Sequence, residues 1–548
     1  MQRRFRGLAT AALATVTLLV AACGGGAGSP SGGGTAGKEG GTISLRGCTP
    51  ENPLIAATTT EMCGGTPLDA ITAKLVRYDP KTAAPSNDIA ESIKTTDNQN
   101  FTITLKKGYK FADGTEIKAK NFVDAWNIAA YGPNGYGAAY FLEPIKGYAD
   151  LQCPDAKCTT PPPSKQMSGL TIVDDYTFTM QTTAPVANMA VRLGYMAFAP
   201  QPDAYLTEYA SNPKTPTFGK APIGSGPYTI TSSNETQIVL EKNPHYSGAF
   251  PGHVDKIIYR IYNDTPAAYA DALANNLDLD DSVPTDQLAN DAWKAQFPNR
   301  NLLQPIGAIN YLAFEGVDTA WSNNTLRKAI GEAIDRDTIT KQVFSGSRIP
   351  ANSWTAPGMD GYLANTCGDA CSFDPTKAKA DYQAGGGYPG TLFININGDG
   401  GHQQWAQAVC NDLKNNLGVD CQLNILPDFR TLLTKERAGE LKGLTRGNWV
   451  MDYPSIQDFL EPLYATGGSS NRIKYSNAAF DQQLKTANAQ TDLAAADADW
   501  QKAEKMLADN LPSIPLWYSA EAVVWSQNVT NVSINTLGEI DLAAVQLK

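Results

Sequence analysis

Strand-like and helix-like stretches alternate along almost the whole chain, over roughly 500 residues beyond its N-terminal segment. A single hydrophobic core stops growing at about 250–300 residues, so two or three domains are expected. Phe101-Thr102-Ile103-Thr104-Leu105 alternates apolar and polar side chains as a half-buried strand does, and Asp113-Gly114 beyond it reads as a turn. Residues 121–130 read as a helix, 171–181 as a hairpin around Asp174-Asp175, and 237–240, 256–261 and 392–396 as strands. Helices are predicted over 265–275, 326–343, 402–416 and 500–509. The second opens after the capping candidates Asn323-Asn324-Thr325, and the last is stopped by Leu511-Pro512. Residues 513–518 and 522–525 read as two late strands. This mixture predicts an α/β protein with mixed sheets.

The N-terminus sets the compartment. Arg3, Arg4 and Arg6 precede an uncharged apolar stretch from Leu8 to Ala22. About fifteen residues are too few to span a ~30 Å hydrocarbon core as a helix. Positive flank, short apolar core and small residues at its end are the layout of a secretion signal, here 1–22. Val20-Ala21-Ala22-Cys23 resembles the bacterial lipobox, which implies that Cys23 becomes the first mature residue and carries fatty acyl chains such as palmitate. Two chains anchor firmly, because each buried methylene contributes about 0.8 kcal/mol. An ordinary cleaved signal with a chance cysteine is the competing reading. Residues 23–41, rich in Gly, Ser, Ala and Thr, read as a flexible tether. The expected location is extracytoplasmic, lipid-anchored to the outer face of the cell membrane.

Eight cysteines remain beyond Cys23, an even number in an oxidising compartment. They allow 105 connectivities in principle. They also fall into four close pairs, and the expected disulfides are Cys48–Cys63, Cys153–Cys158, Cys367–Cys371 and Cys410–Cys421. Metal binding is the rival use, but the spacings are not those of a zinc knuckle and no histidine lies near either tight pair. The formal charge is −11, or −14 once Arg3, Arg4 and Arg6 are removed. An acidic chain without a basic run is a poor partner for nucleic acid.

Seven phrases, in order, carry a resemblance: 73–79 (AKLVRYD), 105–115 (LKKGYKFADGT) with 117–126 (IKAKNFVDAW), 223–228 (IGSGPY), 243–246 (NPHY), 310–314 (NYLAF), 326–336 (LRKAIGEAIDR), and 447–454 (GNWVMDYP) with Phe459-Leu460. Together they resemble solute-binding family 5, the dipeptide and oligopeptide binders of ABC importers. The resemblance implies a periplasmic-binding-protein-like two-lobed fold, type II and of the large peptide-binder class, with an extra domain beside lobe I. Lobe I would use 42–80, 218–305 and 518–548, the extra domain 81–217, and lobe II 306–517. It also implies a monomer that captures short peptides by hinge closure and hands them to permease subunits, with no cofactor.

The same resemblance points to a site. A peptide carries an ammonium and a carboxylate, and a closed cleft must neutralise both. In the family, an acid at the position of Asp452 pairs with the α-ammonium and a tryptophan at Trp449 packs beside the ligand. An arginine at Arg446 meets the carboxylate end, where a planar fork binds in bidentate fashion. Tyr453 lies in the same segment. Glu61 and Met62 sit in the loop that faces the ligand, and Trp354 sits where the second lobe presents a loop. Each has a structural alternative: a turn cap for Asp452, core packing for Trp449 and Trp354, a solvated surface for Arg446, packing or surface for Glu61 and Met62.

Two rival functions remain. The same fold could bind an oligosaccharide, an opine or a metal chelate, though three histidines make a His-rich metal site a poor fit. A secreted hydrolase is the other. Gly224-Ser225-Gly226 imitates part of a nucleophile elbow, but Pro227-Tyr228 opens a strand rather than a helix, and His402 is the one histidine before a helix.

Overall fold

The computed structural model describes residues 37–548 except 51, 60–61, 156–157, 212–216, 263, 289–290, 399–400 and 428. The expected signal, Cys23, most of the expected tether and Glu61 lie outside the described residues.

One mixed sheet of eleven strands runs through the molecule. Two long antiparallel strands, Asn301–Phe314 and Ser513–Trp525, form its middle. On one side lie Leu444–Val450, Leu392–Asn397 and Cys421–Leu426, with Arg348–Pro350 pairing on the far edge of Ser513–Trp525. On the other side lie Leu279–Asp280, Thr42–Gly47, Lys256–Ile261, Gln237–Lys242 and Tyr228–Ser233. The two late strands read from the sequence are therefore one. Both halves pair with Asn301–Phe314, with Glu521 opposite Gln304, while Ser519 pairs with Arg348 on the other edge. Both long strands are apolar nearly throughout and covered on two faces, as central strands require.

The ladder between them breaks between Pro305 and Ile309. Pro305 has no N–H to give, and proline is tolerated only at such irregular places in a sheet. The loosened backbone finds partners elsewhere: Gly307 N–H donates to Thr536 O at 2.9 Å, and Met451 N–H donates to Gly307 O at 2.8 Å.

Three hydrophobic cores surround this frame. A first lobe packs Ile43, Leu45, Tyr228, Leu240, Ile257, Val523 and Val545. A second lobe packs Ile309, Trp321, Trp354, Ile394, Leu444, Phe459 and Trp500. A module within residues 81–217 has its own antiparallel sheet, ordered Ala90–Lys94, Asn100–Leu105, Thr177–Gln181, Leu170–Asp174. Helix Ala119–Ala130 lies on it, with Trp126 edge-on to Phe178 and Phe198 at 5.5 and 5.3 Å between ring centroids.

The single helix predicted over 326–343 is two, Asn324–Glu332 and Arg336–Gln342. Asp335 starts the second by accepting the Thr338 N–H at 2.9 Å, a cap that replaces helix continuation. The predicted cap at Asn323 is present, on Thr325 N–H at 3.0 Å. The tether reading also needs shortening. Lys38 N–H donates to Leu547 O at 2.7 Å, Gly40 N–H to His253 O at 2.8 Å, and Gly41 N–H to Asp255 at 2.9 Å. Residues 38–41 are thus laid against the first lobe, because their backbone groups find partners there.

Disulfides join Cys48–Cys63, Cys153–Cys158, Cys367–Cys371 and Cys410–Cys421. The Gly224-Ser225-Gly226 phrase has a packing reason. A Cβ on Gly224 would stand 2.0 Å from Ile71 O, and one on Gly226 2.5 Å from the Ile71 carbonyl carbon. Between them the buried Ser225 hydroxyl accepts Ala73 N–H at 2.9 Å and donates to Ala73 O at 3.0 Å. That hydroxyl clamps backbone where the chain re-enters the first lobe.

Candidate ligand-binding site

Strand Leu444–Val450 pairs with Asn301–Phe314 so that Trp449 faces Ile309 across the ladder. The chain leaves the sheet at Met451, beside Gly307, turns through Asp452–Ser455 and enters helix Gln457–Tyr464. This turn brings Asp458 back under Asp452. Asp458 is 1 % exposed, and its Oδ2 accepts both the Asp452 N–H at 2.8 Å and the Trp449 indole N–H at 3.2 Å. One buried carboxylate therefore holds the Asp452 backbone and the Trp449 indole together.

Asp452 keeps part of its surface accessible. Its carboxylate meets the Tyr195 hydroxyl, and Tyr140 and Tyr78 lie within reach of its charge. Tyr195 and Tyr140 flank Phe141, at 4.0 and 4.2 Å between ring centroids. Tyr78 is fixed by donating to Val191 O at 2.8 Å. The acid thus stands where the second lobe meets the module and the segment leading into it. Burial first, and then the charge of Asp458, hold the Asp452 carboxyl well above the usual carboxylate range, against the Tyr195 hydrogen bond. Burial likewise pushes Asp458 up to about 7, against the N–H groups of Asp452 and Trp449. The Arg192 charge acts on Asp458, and its guanidinium is engaged with Glu461 at 3.6 Å and donates to Asn188 Oδ1 at 3.0 Å.

The other predicted residues scatter. Of them Tyr453 alone stays by the acids: it is 2 % exposed, sits in the module's core, donates to Gln457 Oε1 at 2.7 Å, and its hydroxyl also meets Asp458. Around it the module and second lobe interlock, with Asn188 Nδ2 donating to Ser455 Oγ at 3.2 Å and Gln457 Oε1 at 3.1 Å. Arg446 has a separate set of partners: its Nε donates to Asn397 Oδ1 at 2.8 Å and its guanidinium lies 4.4 Å from the Phe429 ring centre. Trp354 is 1 % exposed in the second lobe's core, with its indole N–H on Ser513 O at 3.4 Å. Met62 is 56 % exposed at the start of helix Met62–Ala70, next to the Cys48–Cys63 bridge. The structure thus gathers Asp452, Trp449 and Tyr453, and adds Asp458, Tyr195 and Tyr140. The tyrosines left no sequence signal, since the fold alone brings them here. Asp458 had one: a second acid six residues after Asp452, on the opening turn of a helix.

Among the described residues, no group of three or more His, Cys, Asp or Glu side chains is placed to hold a metal ion, and no helix is long and apolar enough to cross a membrane. His402 accepts the Trp405 indole N–H at 3.2 Å.

Residues 84–471 match the family model described as bacterial extracellular solute-binding proteins, family 5 Middle. The chain belongs to this family. The oligopeptide-binding protein OppA of Bacillus subtilis strain 168 is 25 % identical over 468 residues, covering 83 % of this chain and 84 % of its own. The periplasmic murein peptide-binding protein MppA of Escherichia coli K12 is 27 % identical over 438 residues, covering 78 % and 79 %. Among solved structures, DppA of Helicobacter pylori in complex with the peptide STSA superposes with a TM-score of 0.75, 19 % identity, and coverage of 93 % of this chain and 98 % of that one. At that identity the likeness speaks to the fold, which is the two-lobed fold of this family.

Proposed function

We propose that this chain captures short peptides outside the cytoplasm and delivers them to the permease of an ABC importer. It acts as a solute-binding protein rather than an enzyme. The observation that carries the peptide reading is the pair of buried acids, Asp452 and Asp458, opening beside Trp449 without a free cation among their described neighbours. Isolated buried carboxylates are costly, and an entering ammonium offsets that cost. The relatives named for peptides support the same class of ligand. Closure would follow because the ligand touches both lobes only in the shut form. We also propose that Cys23 is acylated, so that the chain stays at the outer face of the membrane. Arg446 is the proposed partner for a peptide carboxylate, from its place on the strand that carries Trp449.

The test is mass spectrometry of small molecules released from the purified, denatured protein. Peptides with free amino termini are the expected finding. A sugar or a metal chelate would replace the ligand assignment and leave the family unaffected.

A further inference from the structure

Asp458 has no part in the resemblance from which Asp452, Trp449 and Arg446 were expected. The structure nevertheless makes it the hub of the site. It is buried, its Oδ2 receives two N–H groups, and both come from Asp452 and Trp449. The Asp458 carboxylate is thus one hydrogen bond from the Asp452 main chain, and its charge acts on the Asp452 carboxyl. Their surroundings hold little positive charge. From the module come Tyr140, Tyr195 and Arg192; from the segment before it comes Tyr78; from the second lobe come Tyr453 and Glu461. Arg192 faces Glu461 as well as Asp458, and lies 5.3 Å from the Tyr453 ring centre. One guanidinium stands against three carboxyl groups. With Arg192 shared with Glu461, two ionised carboxylates in this water-poor surrounding are costly, and a bound proton or an added cation would relieve that cost.

We propose that Asp458 is the second acid of the ammonium subsite, and that a cationic ligand end enters there in exchange for a proton held between Asp452 and Asp458. The inference rests on the peptide reading above. The exchange is balanced: a carboxyl O–H ionises, its proton passes to the solvent buffer, and the ligand ammonium takes its place. No covalent bond to the ligand forms. The direction of the shifts agrees with this: burial raises both acids, and the Asp458 charge raises Asp452 further. Affinity for a peptide should then rise with pH through the range in which the pair would otherwise hold its proton, up to tenfold per pH unit for one proton exchanged.

The experiment is titration calorimetry of the ligand-stripped protein with a mixed library of free-terminus peptides two to nine residues long. It is run at pH 7 in phosphate and in Tris, whose protonation enthalpies differ. Release of about one proton per peptide is expected. The Asp458→Asn variant keeps an acceptor for both N–H groups. It should still bind, release fewer protons and flatten the dependence of affinity on pH between about 6 and 8. A role confined to holding Trp449 and Asp452 in place would lower affinity equally at every pH, and would overturn the inference. Binding without proton release would also overturn it while leaving the peptide reading intact. No binding of any library member would remove the peptide reading itself, and this inference with it.

Discussion

The clamp at Gly226 offers a prediction whose size follows from distances. An alanine Cβ there would stand 2.5 Å from both the Ile71 carbonyl carbon and the Thr72 nitrogen, and 3.0 Å from Ile71 O. Non-bonded carbon contacts settle near 3.5–4.0 Å, so the two backbones must part by about 1 Å. No flexible side chain is available to yield, because the opposing atoms are main chain. The separation stretches the bond from Gly226 N–H to Ile71 O, 2.7 Å long, and the two bonds between Ser225 and Ala73. Each such bond is worth about 1 kcal/mol net, and a buried partner left unpaired costs about 1–3 kcal/mol. Gly226→Ala should therefore destabilise by roughly 3–5 kcal/mol. In a chain of 548 residues unfolding as a unit, the unfolding entropy makes 1 kcal/mol equal to about 1 °C, so the calorimetric Tm should fall by about 3–5 °C. Gly65 is the control. It lies inside helix Met62–Ala70, and a Cβ there meets nothing within 4 Å. Gly65→Ala should leave Tm unchanged or raise it by about 1 °C, as helix propensity dictates. A Gly226→Ala protein melting within 1 °C of the parent would refute the close approach and the clamp with it.

Three further outcomes are expected. Asp452→Ala should weaken peptide binding by about a hundredfold or more in calorimetry, the effect of taking one partner from a buried ion pair; unchanged affinity would remove Asp452 as the ammonium partner. Glu504 is buried, accepts the Thr355 N–H and hydroxyl at 3.0 Å each, and is pushed by burial from 4.5 up to about 7. A raised acid gives stability that is full below its unfolded value and lost as pH climbs through its folded value. Glu504→Gln should therefore melt close to the parent at pH 5 but higher at pH 9, by at most about 3 kcal/mol; a constant difference across pH would exclude this ionisation. Cys23→Ser should release the protein from membranes into the medium, read by fractionation, and retention would rule out the lipid anchor.

Much of this architecture is legible in the chain itself, and the gaps have physical causes. Phe101–Leu105 alternates because one face of its sheet lies on the helix that carries Phe122 and Trp126, so the pattern announces the strand. The late strand read as two because Ser519 and Glu521 interrupt its apolar run. Their partners across the ladder, on Arg348 and Gln304, are supplied by distant segments that no local window contains. Asp335 inside a helical pattern was legible as an acid but not as a cap, since capping depends on the backbone leaving the helix just before it. At the site, the spacing from Trp449 to Asp452 could be matched to a family. Whether Tyr453 points inward could not, because that depends on Asn188 and Arg192 arriving from the module. Tyr140 and Tyr195 reach Asp452 only through the docking of the module on the second lobe.

The bond from Lys38 to Leu547 decides where mechanical load enters this molecule. Val529–Thr530 pairs with Gln546–Leu547, and Lys38 adds to their edge while Glu39 grips His253. Anything pulling from upstream of Gly37 tugs first on that clasp, which belongs to the first lobe. That corner lies on the first lobe's side of the break at Gly307. Were the chain leashed through Cys23 as proposed, the pull would enter at the first lobe and leave the second lobe untethered.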